Sequence, residues 1–160
     1  MKIAVLSDTH IPIIADDMPK KIYTALKGVD LIVHAGDIVT PEIIDRLSKI
    51  APVRAVCGNM DDENVCARLP KKDIIKAGAL SLGLIHGSGA PANLMATVRK
   101  EFKQVDVIIF GHSHIPCNER IDGVLFFNPG SPTDKIFAPY NSYGMIEITG
   151  KNINARIIKI

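Results

Sequence analysis

Five apolar runs in this chain each end on a side chain able to hold a metal ion. Ile3–Leu6 runs into Asp8-Thr9-His10, Leu31–Val33 into Gly36-Asp37, and Val53–Cys57 into Gly58-Asn59. Leu82–Ile85 runs into His86-Gly87, and Val107–Phe110 into His112-Ser113-His114. The donors are carboxylate, amide oxygen and imidazole, with no thiolate. That set suits a borderline divalent ion (Mn, Fe, Co, Ni or Zn) in an open catalytic site rather than a closed structural zinc. Seven donors are too many for one ion that keeps an open position. Two ions about 3.5–4 Å apart, sharing one carboxylate, fit better. In extended chain, residues i and i+2 point the same way, so Asp8 and His10, and His112 and His114, are each predicted to share a face. Glycines at 36, 58, 87 and 111 allow tight turns close to a bound ion.

The elements that must position these donors read as alternating strands and helices. Lys2–Leu6, Asp30–His34 and Val53–Cys57 are predicted strands. Between them lie amphipathic stretches, Pro19–Lys27 and the segment after Thr40-Pro41, with Ile43, Ile44 and Leu47 on one face. Two successive strand–helix–strand units favour a buried parallel sheet, whose strand ends are where ligands bind. Farther on, Ile74–Ile75 and Leu80–Ile85 are predicted strands joined at Gly78, Pro91–Phe102 a helix, and Val105–Phe110 a buried strand. Val124–Phe127, Tyr143–Ile148 and Ile153–Ile158 are short extended pieces, the last two joined at Gly150-Lys151-Asn152. This tail is predicted to be mostly antiparallel, in an α/β protein with a mixed, two-sheet core.

Composition narrows the classes. The 160 residues suit one domain, with 47% hydrophobic and 22% charged residues. A net charge of +2 gives no nucleic-acid footprint. No apolar run reaches the roughly 18 residues of a membrane span, and MKIAVLSDTH lacks a signal-peptide pattern. A cytoplasmic protein is expected. Cys57, Cys66 and Cys117 show no C-x-x-C spacing, so three unpaired thiols are expected.

The five stretches, read in order, resemble the calcineurin-like metallophosphoesterase superfamily. The chain length, His34-Ala35-Gly36-Asp37 and Asn128-Pro129-Gly130-Ser131 are similar to its small YfcE-like phosphodiesterase branch. The resemblance covers nearly the whole chain. It implies a single metallophosphoesterase domain over residues 1–160, a four-layer α/β sandwich with two mixed central β-sheets flanked by helices. It further implies a dinuclear centre, with manganese the first expectation. Asp8, His10 and His114 would hold one ion, Asn59, His86 and His112 the other, and Asp37 would bridge them. The activity implied is hydrolysis of a small phosphodiester or phosphomonoester by a metal-bridging hydroxide. Asn59, Asp61 and His112 are the candidate catalytic residues: Asn59 touching a phosphoryl oxygen, Asp61 orienting the site or donating a proton.

Two positions depart from the pattern. Met60 and Ser88 stand where relatives commonly carry histidines suited to protonating a leaving group, so an ester with an acidic leaving group is the expected best substrate. The same departures keep an alternative, a non-catalytic protein-binding scaffold like the small retromer subunit of this fold. Against it stands retention of all seven donors. His34 reads as a packed histidine supporting Asp37 or a neighbour, Asn128–Ser131 as a turn behind the metals, and Asp16, Asp17, Asp62 and Glu63 as solvated loop charges. Ile13, Ile14 and the Ile136–Tyr140 stretch are expected at a homo-oligomer interface or over the site.

Overall fold

A computed structural model describes residues 1–160. The first half alternates as expected: β1 (Lys2–Leu6), α1 (Lys20–Ala25), β2 (Leu31–His34), α2 (Pro41–Ser48) and β3 (Val53–Ala55). A short helix α3 (Glu63–Arg68) follows, then β4 (Lys72–Ala77), β5 (Leu80–Ile85), a 3₁₀ turn at Pro91–Asn93 and α4 (Leu94–Lys100). The chain ends with β6 (Val107–Ile109), β7 (Cys117–Ile121), β8 (Val124–Asn128), β9 (Ser142–Thr149) and β10 (Asn152–Lys159).

Two five-stranded sheets result, with orders β10-β9-β1-β2-β3 and β4-β5-β6-β8-β7. Alternation along the strands explains the layers. Ile3 and Val5 of β1 face Leu82, Leu84, Val107, Ile109 and Phe127 across a dry interface between the sheets. Ala4 and Leu6 face the other way, onto Ile22 of α1 and Ile43 and Leu47 of α2. Ile108 and Phe126 likewise turn outward onto Leu94 and Val98 of α4. The result is a four-layer sandwich of helix, sheet, sheet and helix, and no helix is long and apolar enough to cross a membrane.

Several details differ from the sequence reading. Within the tail, β9 and β10 are antiparallel, but β8 runs parallel to β6, with β7 antiparallel on its outer edge. β7 lies mostly exposed and shows no apolar alternation, so periodicity gives no sign of it. Helix α3 buries only Val65 and has the same excuse. Asp62 is its N-cap, accepting from the Val65 backbone at 2.8 Å, rather than a free loop charge. Asp17 is also engaged, paired with Arg46 at 2.6 Å.

Candidate metal centre

The ends of β1, β2, β3, β5 and β6 all lie on one edge, where the two sheets meet. Backbone bonds lace the first two loops together: Asp8 N donates to Gly36 O and His10 N to Asp37 O, each at 3.0 Å. The donor residues do not continue the strands. Asp8, His10, Asp37, His112 and His114 all have φ between 46° and 68°, in the left-handed region that non-glycine residues seldom adopt. Their side chains therefore converge through tight turns, not through the extended i, i+2 alternation that the spacing suggested. Strained backbone of this kind persists only where surrounding structure enforces it, and it gathers at functional sites. Gly58 and Gly111 make the close approach feasible: a Cβ on Gly58 would collide with the Asp37 carboxylate, and one on Gly111 with Ser7.

Two groups of ligand atoms result, Asp8 with His10 and His114, and Asp8 with Asp37 and His86, each with its atoms within 4.8 Å of one another. In the first group His10 Nε2 and His114 Nε2 are 3.2 Å apart, and His114 Nε2 lies 3.4 Å from Asp8 Oδ1. Asp8 belongs to both groups, and Asp37 of the second also approaches the first: its Oδ2 is 3.5 Å from His10 Nε2 and 3.3 Å from His86 Nε2. Asn59 Oδ1 extends the second group, 3.1 Å from His86 Nε2 and 3.0 Å from His112 Nδ1. His112 is half-exposed; its Nε2 reaches the Gly89 carbonyl at 3.0 Å.

Asp8 and Asp37 are buried, and their only ion-pair partners are imidazoles. Burial pushes the Asp8 carboxyl above its usual range, against the pull of His86 and His114. Burial works the same way on Asp37, but the hydrogen bond and charge of His86 win and hold it low. His86 is the converse: burial disfavours its proton, while Asp37 and Asp8 raise it. Burial lowers His10 despite both carboxylates. Two buried carboxylates facing nitrogen donors, with no lysine or arginine to neutralise them, form a donor set that fits divalent cations.

The surroundings orient the ligands. His86 Nδ1 donates to the Ala35 carbonyl at 2.8 Å, which aims Nε2 at Asp37. Asp8 accepts from Ser7 Oγ at 2.6 Å and from the His112 backbone at 3.1 Å. The segment after β8 props the site from behind, as the turn reading suggested. Asn128 Nδ2 donates to the Gly111 carbonyl at 2.9 Å, and Ser131 Oγ to the Asp8 carbonyl at 2.7 Å. His34 is fully buried, with Nε2 3.2 Å from Thr9 Oγ1 and Nδ1 without a hydrogen-bond partner.

Three findings revise expectations. Asp61 accepts from the backbone N–H groups of Asp37, Ile38, Val39 and Gly58, so its carboxylate clamps two site loops together. Cys57 and Cys66 are not free thiols but a disulfide with Cα atoms 5.2 Å apart. Their nine-residue separation resembles no familiar motif, yet the Gly58–Asn59 turn doubles the chain back and brings α3 against the end of β3. Cys117 alone is free, and burial pushes its thiol up to about 11. Third, a buried carboxylate escaped the sequence reading: Asp134 accepts from His114 Nδ1. Burial raises the Asp134 carboxyl, but the His114 bond and backbone donors outweigh it and hold it low. Only its place just after Asn128–Ser131 signals this role.

Such a centre on such a sandwich defines a metallophosphoesterase-type fold. The calcineurin-like phosphoesterase superfamily domain matches residues 1–151, and the chain belongs to that superfamily. A probable metallophosphoesterase of Methanothermobacter thermautotrophicus is 36% identical over 162 residues, covering 99% of this chain and 92% of the relative. Another from Methanocaldococcus jannaschii is 41% identical over 136 residues, covering 83% of this chain and 69% of the relative. Among solved structures, Vps29 of Chaetomium thermophilum is similar with a TM-score of 0.80 at 26% identity, over 100% of this chain and 97% of that one. The superfamily uses divalent metals, and this chain carries acidic and imidazole clusters able to bind them.

Proposed function

We propose that the chain is a dinuclear metal-dependent phosphoesterase, most active as a phosphodiesterase with Mn²⁺. Asp8, His10 and His114 hold one ion, Asn59, His86 and His112 the other, and Asp37 joins them. The observation that carries this reading is the position of Asp37 Oδ2, within 3.5 Å of a nitrogen from each half. When bound, the two ions make water nucleophilic near neutral pH and neutralise charge on the phosphoryl oxygens. The protein's own part is orientation. Asn59 turns Oδ1 toward His86 and His112, which leaves its Nδ2 to donate to a phosphoryl oxygen. Asp61 holds the Asp37 and Asn59 loops in register. Neither Met60 nor Ser88 supplies a proton as an imidazole would, so alkyl leaving groups should lag aryl ones by about 10²–10⁴-fold.

The test is hydrolysis of bis-p-nitrophenyl phosphate with Mn²⁺, Ni²⁺ or Co²⁺, before and after chelation. Turnover that disappears with chelator and returns with metal is expected; inactivity with every metal would refute the enzyme reading. The likeness to Vps29 and the exposed apolar residues around the site favour a second reading, a protein-binding scaffold. Metal binding without turnover would point there.

A further inference from the structure

The cavity in front of the metal centre has a volume of about 370 Å³ and two chemically different parts. Its floor is formed by His10, Asp37, Asn59, His112 and His114 of the donor set. Its walls are Ile13, Ile14, Met60, Pro91 and Phe137, and no lysine or arginine lines it. The wall side chains are open to solvent: Phe137 is 72% exposed, Ile13 62% and Met60 48%. Large apolar groups grouped this way mark a binding surface.

These walls are tied to the floor. Ile14 N donates to the His10 carbonyl at 2.8 Å, and Met60 N to Asp37 Oδ1 at 2.8 Å. Phe137 N donates to Asp134 at 3.1 Å, the carboxylate that also accepts from His114, and the Phe137 ring stands edge-on to His114 with centroids 6.0 Å apart. Three of the five wall residues, Ile14, Met60 and Phe137, are thus fastened through their own backbone to a residue of the centre or to its direct support. A second cavity of about 300 Å³, reached past Asn59 and His86, differs in kind: Lys71, Ser88, Thr97 and Glu101 line it.

We propose that the metal-facing cavity receives an uncharged, apolar ester group, aryl or medium-length alkyl, attached to the phosphoryl group that sits over Asp37 and Asn59. This rests on the phosphoesterase reading above. Carbon placed against Ile13, Ile14, Met60 and Phe137 leaves water, which is favourable in proportion to the area covered. A second phosphate or a carboxylate against these walls would give up hydration with no lysine or arginine to replace it.

The test titrates the Mn²⁺-loaded full chain with n-alkylphosphonates from methyl to hexyl by calorimetry, which does not depend on turnover. One-sided burial of each methylene should tighten Kd about twofold, or about 30-fold across the series. Phe137→Ser and Ile13→Ser should flatten this gradient, Phe137→Leu should restore it, and metal content measured alongside confirms that the variants are folded. Lys71→Met should leave the gradient as it is. A Kd independent of chain length would overturn the proposal. So would tighter binding of phosphonates ending in a carboxylate, lost in Lys71→Met, which would place the organic group in the second cavity. Self-association abolished by Phe137→Ser, without a gradient, would assign the apolar walls to a second copy of the chain. A gradient in a protein that hydrolyses no ester would refute the phosphoesterase reading alone. Diester turnover without a gradient would refute this inference alone.

Discussion

On one side of Asp37 lie Asp8, His10 and His114; on the other lie Asn59, His86 and His112. The first set is buried throughout and braced from behind by Ser131, Thr133 and Asp134, residues more than a hundred positions from Asp8 in the chain. In the second set only His86 is buried; Asn59 is exposed and His112 half-exposed, and both sit on turns. The Asn59 turn is held by the Asp61 clamp and the Cys57–Cys66 disulfide rather than by core packing. One half of the centre is thus part of the fold's interior, and the other is an adjustable wall of the cavity. A site that must both retain metal and admit substrate can divide the two tasks in this way.

The sharpest way to break the comparison is to change the carboxylate that lies close to a nitrogen of each half, Asp37. Asp37→Asn keeps the shape and the Met60 contact but takes away the charge that faces His10 and His86. If Asp37 joins the halves, metal content should fall from two ions and hydrolysis should drop on the order of 10³-fold, since each metal contributes several kcal/mol. Elemental analysis and bis-p-nitrophenyl phosphate turnover read both. Two tightly held ions and full rate would show that Asp8, which belongs to both ligand groups, is the shared carboxylate instead.

The next largest effect separates the braces of the outer half. The disulfide closes a loop of about ten residues around Asn59, and a cross-link of that span is worth a little under 3 kcal/mol in the chain-entropy account. Cys66→Ser should lower unfolding stability by that amount in urea. It should also loosen the second ion more than the first, a difference that stepwise metal titration resolves. Equal weakening of both ions would mean that the halves are not separately braced.

Asp134→Asn addresses the inner half. The amide keeps the volume but no longer offers His114 Nδ1 a carboxylate, and loss of such an outer partner costs typically 10–100-fold in metal affinity. Here the first ion should be the one affected. His112→Ala and His114→Ala complete the contrast: each should weaken a different ion, although only one residue separates them.

What the sequence revealed and what it hid follow the same division. The donors themselves were legible because each ends an apolar run, and a buried strand that closes on Asp, Asn or His needs a reason. The two-sheet core was legible from the apolar runs of β1, β5 and β6 and from the strand–helix–strand order of the first half. The braces were not. Ser131 and Thr133 act through contacts formed only once the tail folds back onto the Asp8 loop, across more than a hundred residues, and Asp134 reaches His114 across 20 residues of irregular chain and strand; no local pattern reports either contact. The disulfide was hidden because nine residues of separation is no motif until the turn at Gly58 is known. The backbone at Asp8 and His112 was misjudged because alternation assumes extended chain, and these residues have left it.

Beneath the join of the halves lies His34, and it permits the finest test. Its ring is fully buried, with one nitrogen on Thr9 and the other unpartnered. Burial, reinforced by the nearby charge of His86 and opposed by Asp37, holds its pKa down to about 3 from an ordinary 6.5. The folded protein therefore keeps this ring neutral while the unfolded chain protonates it below pH 6.5. Between pH 6.5 and 3 the unfolded state binds more protons, so stability falls as pH falls, by up to about 1.4 kcal/mol per unit and by about 2 kcal/mol at pH 5. His34→Gln, which does not titrate, should escape that loss. Urea unfolding in chelator at pH 7.5 and pH 5 should show the stability gap between wild type and variant moving by about 2 kcal/mol in the variant's favour. Titration of Asp8, Asp37 and the other histidines is common to both proteins and cancels in the comparison. An unchanged gap would mean that water or a shifted backbone reaches the unpartnered nitrogen, and that the layer beneath Asp37 is as adjustable as the Asn59 wall above it.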